Sequence, residues 1–327
     1  VKGLDAVAYG HSFVAWEGRR SYVNRLVAEL DWNLTNAAFG GGDPLDVAAR
    51  VIGMDGPHQW KPRPAHLVLI DAATNDMFGS GMAGLTGYRN AMRSMLARVS
   101  AEGIMDGDHV NYPGGQWWAE SGGDWHNGSA RLGGPTILLP GFGRAGKWAF
   151  GYAGIPASLS EGAKFDVLIN GVKMGELDCH ASCVPSPRGR TRGHSVTLVN
   201  SSVSVQQITL QRQSGSTGGG PWFDAYWKID EVSPPLIVLP KPVYSPFAAY
   251  RGTHCTDAVV DAYGEALVQV AAEVGPHCVV VDTLAGWDRD LMMLPNDQMH
   301  PSPRGHAHIA AAIREALRAR PDWWPTY

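Results

Sequence analysis

The sequence has no apolar run approaching the ~20 residues that a membrane-spanning helix requires, and no block of lysines and arginines. The first lack argues against a helical membrane protein. The second, with a formal net charge of −4, argues against nucleic acid or an anionic membrane as the main partner. Charge is sparse, at 18% of 327 residues against 44% hydrophobic, the balance of an ordinary soluble globular protein of one large domain or two moderate ones. Cysteine is scarce too: Cys179, Cys183, Cys255 and Cys278. Cys255 and Cys278 flank a predicted helix ending near Val274, which separates them by roughly 30 Å at ~1.5 Å per residue, beyond the ~7 Å a disulfide tolerates. Cys179 and Cys183, in DCHASC, could close a small loop in an oxidising compartment, whereas a zinc site there would need more ligands than His180 supplies. The chain opens at Val1 with neither Met nor a signal-like segment, as a mature form or an excised domain would, so localisation is not legible from the terminus.

Three zones follow one another. Residues 1–103 alternate strand and helix. The segment SYVNRLVAEL carries Val23, Leu26, Val27 and Leu30 at helical spacing behind a Ser21 cap. Leu67-Val68-Leu69-Ile70 is apolar on both faces, as a central parallel strand is. A second amphipathic helix presents Tyr88, Met92, Met95, Leu96 and Val99 on one side. From 104 to 235 the chain turns to Gly, Ser and Trp with short alternating runs, KFDVLINGVKMGELD, SVTLVN and VQQITLQ, and a turn signal at Asn170-Gly171. That is the pattern of an antiparallel β-sandwich. From 236 to 327 strand and helix return, LIVLP, TDAVVDAYGEALVQVAAEV, CVVVD, and a last helix from Ser302 with Pro303 at its first position. One doubly wound, mainly parallel α/β domain, residues 1–103 and 236–327, interrupted by a β insert, 104–235, accounts for all three zones.

Four segments fall at the carboxyl edge of that sheet, where open α/β folds place ligands. Ser12 follows the apolar run Val7-Ala8-Tyr9 and Gly10. NAAFGGGD, residues 36–43, offers glycine N–H groups that can approach a ligand closely. Asn75, just past the buried strand, can donate its amide to a developing oxyanion. Asp297 and His300, three apart before the last helix, suit a carboxylate that orients an imidazole toward a hydroxyl. Taken singly, these residues are equally at home in turns, as helix caps and in surface loops. In the order Ser, Gly, Asn, Asp-x-x-His, the chain resembles the SGNH hydrolases, the GDSL-type esterase and lipase superfamily. Ser12 in GHSF matches the nucleophile block, Gly41 in NAAFGGG the glycine block with Gly40 competing, Asn75 in ATND the asparagine block, and DQMHP the final block.

The resemblance covers the two outer zones, not the insert. It implies a flavodoxin-like three-layer α/β/α fold and a serine esterase. Ser12 would attack an ester carbonyl, His300 take its proton and Asp297 orient His300. The N–H groups of Ser12 and Gly41 with the Asn75 amide would form the oxyanion hole. No metal and no cofactor are implied. The chain departs from the family at position 11, His where Asp is usual, and at Ala73, where Gly is usual. His11 either lines the pocket or supports the turn. His306 and His308 read as solvated or capping positions.

The insert reads as a tethered module similar in pattern to carbohydrate-binding domains. Its candidate sugar platforms are Trp117, Trp118, Trp125, Trp148, Trp222 and Trp227, although most tryptophans in such a domain are core. Two ester classes are open. A short acyl group on a polysaccharide or cell-wall glycan suits the insert. A longer lipid acyl chain suits Met77, Met82, Leu291, Met292, Met293 and Leu294, if they line a channel. Trp287 is a further candidate for substrate contact. The expected setting is extracellular, or on a cell surface or virion. A reading from another class is a surface or phage-tail binding protein that retains the fold.

Overall fold

The computed structural model describes residues 3–15, 21–52, 65–106, 120–121, 129–132, 136–154, 163–179, 193–216, 222–246 and 254–320. Two compact units emerge, one of Val1–Val47, Pro62–Met92 and Pro235–Tyr327, the other of Ala48–Lys61 and Arg93–Pro234.

The first unit is built on five strands, β1 (Asp5–Gly10), β2 (Asn33–Asn36), β3 (Leu67–Asp71) and, numbered after the eight strands of the other unit, β12 (Leu236–Pro240) and β13 (Cys278–Val281). All their pairings are parallel, in the order β13-β12-β3-β1-β2. Side chains alternate across the sheet. Ala6, Ala8, Leu67, Leu69, Leu236 and Val238 enter one core with α2 (Tyr22–Leu30) and α8 (Pro303–Arg318), through Tyr22, Leu26, Ile309 and Ile313. Val7, Tyr9, Val68 and Ile70 point the other way and are buried as well. Burial on both faces is why these strands read as unbroken apolar runs. Counted within the sheet the order is 2-1-3-4-5, whose switch point lies between the carboxyl ends of β1 and β3. Local signals set the helix starts: the Ser21 hydroxyl accepts from the Asn24 N–H, Thr256 caps α6 (Asp257–Val274), and Ser302 caps α8 with Pro303 at its first position. The remaining helices are α1 (Ser12–Ala15), α3 (Pro44–Ile52), α4 (Thr74–Ser80), α5 (Leu85–Val99) and α7 (Arg289–Met292).

The second unit is antiparallel. Its strands are β4 (Ala101–Asp106), β5 (Glu120–Ser121), β6 (Ser129–Leu132), β7 (Thr136–Gly154), β8 (Lys164–Ile169), β9 (Val172–Asp178), β10 (Gly193–Arg212) and β11 (Trp222–Ile229). They run in the order β5-β6-β11-β7-β10-β8-β9, with β4 also on β11. Strands β7 and β10 are 19 and 20 residues long and pair over nearly their whole length, with register shifts between Ser201 and Gln207. Such bulges bend a strand, so the sandwich is one continuous sheet turned at a corner. Strand β8 continues one half of it on the later part of β10, and β11 the other half on the later part of β7. Ile137, Leu139 and Phe165 from the first half and Trp148, Phe150 and Tyr226 from the second share one core. The β8–β9 hairpin closes through Asn170 and Gly171, both at positive φ (50° and 84°), the geometry Asn-Gly favours. This unit reaches further toward the N-terminus than the composition change at residue 104. The Trp227 indole donates to the Ala97 carbonyl at 2.8 Å and the Asp230 N–H to the Ser100 carbonyl at 2.7 Å.

Of the candidate sugar platforms, Trp148 and Trp227 are core residues, 2% and 1% exposed. The Trp222 side chain and Trp117, Trp118 and Trp125 lie outside the described residues. Cys179, Cys255 and Cys278 are buried free thiols, Cys179 pushed up to about 12 and Cys255 to about 11 by burial; Cys183 lies outside the described residues. Among the described residues no helix is long and apolar enough to cross a membrane.

Candidate active site

Strand β1 ends where β3 ends beside it, and the two backbones nearly touch. A Cβ on Gly10 would stand 2.5 Å from the Asp71 carbonyl oxygen and 2.7 Å from Val14, so only glycine fits. The His11 N–H donates to that carbonyl at 3.3 Å, and the chain turns at once into α1, whose Val14 and Ala15 N–H groups donate to the His11 carbonyl. Ser12 is therefore the first residue of a one-turn helix at the switch point, half-buried, and among the described residues its N–H donates to no acceptor.

The partner loop precedes α8. Its ends are pinned by a bridge between Met293 and Pro301, by the Leu294 N–H donating to the His300 carbonyl at 2.8 Å, and by the Ser302 N–H donating to the Met292 carbonyl at 2.7 Å. Helix α8 can approach that carbonyl because residue 305 is glycine; a Cβ there would lie 2.1 Å from it. Within the loop Gln298 takes a left-handed φ of 55°, and its carbonyl accepts the Ser245 hydroxyl. Asp297 Oδ1 accepts the Met299 and His300 N–H groups, both at 3.0 Å, which frees Oδ2 to meet His300 Nδ1 at 2.8 Å. On the far side of the ring, His300 Nε2 lies 2.8 Å from Ser12 Oγ. Burial raises the Asp297 carboxyl, but the two N–H groups and the His300 ring together outweigh it and hold it below the ordinary range. A carboxylate that stays ionised fixes the His300 proton on Nδ1 and turns the Nε2 lone pair to the Ser12 hydroxyl.

The glycine and asparagine segments meet beside them. Gly41 adopts a left-handed φ of 74°, a conformation that glycine takes without strain. The Asn75 amide donates one hydrogen to the Gly42 carbonyl at 2.7 Å, so it is not the cap of α4; its second amide hydrogen has no partner among the described residues. Asn36 donates to the Val14 carbonyl at 3.1 Å, tying the glycine segment to α1. Next to Asn75, the buried Asp76 accepts the Tyr263 hydroxyl from α6 at 2.7 Å, and burial raises its carboxyl above the ordinary range.

The other candidates stand differently. His11 is fully buried and supports the turn: Nε2 faces Asp71 Oδ1 at 3.1 Å, and Nδ1 accepts the Phe13 N–H at 3.3 Å. Met77 (1% exposed), Met292 (7%) and Met293 (2%) are core filler, which leaves them no face for an acyl chain. The half-buried Trp287 spends its indole N–H on the Tyr244 carbonyl and meets the ring of His308, whose Nε2 lies 3.2 Å from the Thr283 carbonyl. His306 is not solvated and does not cap its own helix, whose cap is Ser302. It is 2% exposed, its Nδ1 accepts the Tyr22 N–H at 3.3 Å, and burial pushes its pKa down to about 4.

Sequence reasoning missed Asp71 and Tyr22. Asp71 Oδ2 accepts the Tyr22 hydroxyl at 2.9 Å, and burial first, then Asp71, raises the Tyr22 hydroxyl well above its usual range. The signal was present, since an aspartate closing a strand buried on both faces needs partners nearby. Among the described residues no group of three or more His, Cys, Asp or Glu is placed to hold a metal ion.

Among solved structures, similar ones include a lipolytic protein of the G-D-S-L family from Veillonella parvula (9% identical, 96% of this chain and 98% of that one covered, TM-score 0.43). Others are a lipase/acylhydrolase from Enterococcus faecalis (10%, 97% and 96%, TM-score 0.46) and the porcine torovirus hemagglutinin-esterase (8%, 96% and 87%, TM-score 0.44). No family model and no curated protein matches the chain. Likenesses this distant leave the chemistry to the geometry of the site itself.

Proposed function

We propose that the protein is a serine ester hydrolase of the SGNH type. The observation that carries this reading is the chain Ser12 Oγ, His300, Asp297, with 2.8 Å at each link. In the reaction His300 Nε2 takes the proton as Ser12 Oγ adds to the ester carbonyl, and the oxyanion gathers the N–H groups of Ser12 and Gly41 and the free amide hydrogen of Asn75. Collapse expels the alcohol, protonated by His300. Water, activated by the same imidazole, then releases the acid from Ser12.

For the substrate we favour a short, acetyl-like acyl group on a polysaccharide or cell-wall glycan. Supporting it is the burial of Met77, Met292 and Met293, which takes away half of the apolar lining a long-chain reading relied on, while Met82 and Leu291 stay exposed. In this reading the antiparallel unit anchors the enzyme to glycan, in an extracellular, surface or virion setting. The test is hydrolysis of p-nitrophenyl esters from acetate to decanoate by the wild type and Ser12→Ala. Turnover that depends on Ser12 and is confined to acetate and butyrate supports the short-acyl enzyme; a preference for decanoate replaces it with a lipase-like one. Turnover unaffected by Ser12→Ala, or absent throughout, overturns the general esterase and favours a binding protein that retains the fold.

A further inference from the structure

Below the candidate nucleophile lies a buried polar chain that the proposed reaction does not itself use. Asp71, at the end of β3, accepts from Tyr22 with one oxygen and faces His11 Nε2 with the other, at 2.9 and 3.1 Å. His11 Nδ1 accepts the N–H of Phe13, the second residue of α1. That is the bond an N-cap side chain makes, ordinarily from Asp, Asn, Ser or Thr. An imidazole can make it only while Nδ1 carries no proton; a proton there would face the Phe13 N–H donor to donor. Asp71 sets this state, because an acceptor at Nε2 places the single ring proton on Nε2.

The consequence reaches both reacting groups. The Phe13 ring sits edge-on to His11 with centroids 4.6 Å apart, and it also meets the His300 ring at 5.7 Å. Phe13 is 3% exposed and His11 fully buried, so neither has room to shift. Holding the Phe13 N–H leaves the Ser12 N–H, among the described residues, as the unclaimed donor of the turn. Holding the Phe13 ring fixes one wall against which His300 stands.

We infer that His11, keyed by Asp71 and Tyr22, is a positioning residue: its imidazole accepts the Phe13 N–H through Nδ1 as the cap of α1, and so sets Ser12 and His300 for the reaction. This rests on the esterase reading. A group that only positions reacting atoms for the transition state affects kcat and leaves KM nearly alone.

The two ring nitrogens separate by substitution. His11→Asn keeps an acceptor where Nδ1 stands but does not reach Asp71; His11→Gln keeps a donor near Nε2 but no acceptor for Phe13; His11→Leu keeps neither. We expect kcat on the best p-nitrophenyl ester to fall about 10- to 100-fold in His11→Leu and His11→Gln, with KM within about threefold of the wild type and melting still cooperative. His11→Asn recovers most of the kcat. Wild-type kcat in His11→Gln, or a His11→Asn no better than His11→Gln while both are folded, overturns the inference, and this comparison stands even if His11→Leu fails to fold. Absence of Ser12-dependent turnover in the wild type overturns the esterase reading itself, a result distinct from a wild type that turns over together with its His11 variants.

Discussion

Acid should unfold this protein partly through one histidine. His306 lies in the first turn of α8, 2% exposed, its ring stacked on Tyr22 with centroids 6.1 Å apart and its Nδ1 accepting the Tyr22 N–H. Burial is the main reason its pKa falls to about 4, and the nearby Arg25 adds to it. In the unfolded chain the same ring takes its proton near ~6.5. Between those values the unfolded state binds the proton and the folded state does not, so stability is full above about pH 6.5, falls as pH drops, and stops falling from this group below about 4. At ~1.36 kcal/mol per pH unit the interval sets a ceiling of about 3 kcal/mol. His306→Asn keeps an acceptor for the Tyr22 N–H and cannot titrate. Urea unfolding of both proteins at pH 7.5 and 4.5 should therefore show the wild type losing about 2 to 3 kcal/mol more than the variant over that range. Carboxylates common to the two proteins cancel in the comparison. Equal losses would refute the reasoning and mean that His306 is protonated in the folded state at pH 4.5.

Two further substitutions test other parts of the structure. Asn75→Ala removes the amide whose first hydrogen holds the Gly42 carbonyl and whose second has no partner among the described residues; kcat on p-nitrophenyl acetate should fall about 10²- to 10³-fold, and a loss under tenfold would overturn the proposed oxyanion role of Asn75. Trp227→Ala empties a 1% exposed position and strands the Ala97 carbonyl, so chemical denaturation should report a loss of about 3–5 kcal/mol.

The ends of β1 and β3 were legible because burial on both faces writes unbroken apolar runs, and the Asp297–His300 pair because the contact is made within one loop. Pairings across the chain were not. The partners of Asp71 stand 49 and 60 residues away, and His306 meets Tyr22 across 284, separations that leave no local trace. His306 itself was within reach: it precedes Ile309 and Ile313 by three and seven residues, the spacing of one helix face, and both are buried. SVTLVN and VQQITLQ read as two strands but belong to the single β10. The register shifts from Ser201 to Gln207 break the alternation, and a broken alternation looks like a turn. Met77, Met292 and Met293 lie in the core while Met82 is exposed, because nearness in sequence to a candidate site does not distinguish a packed core from a pocket.

Three histidines near the sheet edge thus carry two kinds of duty. His300 faces Ser12 with Nε2 and holds no helix start. His11 and His306 use Nδ1 to hold the N–H groups of Phe13 and Tyr22, at the starts of α1 and α2. A proton on His306 Nδ1 sets donor against donor at the start of α2. Loosening of α2 by that proton shows in the near-UV circular dichroism spectrum. Because Asp71 links Tyr22 to His11, opening at α2 should carry to the Ser12 turn. The change in the spectrum on acidification should therefore coincide with a fall in kcat that His306→Asn displaces to lower pH. A kcat profile unmoved by His306→Asn, in a protein whose acid unfolding it does move, would mean that the link through Asp71 carries no strain to Ser12.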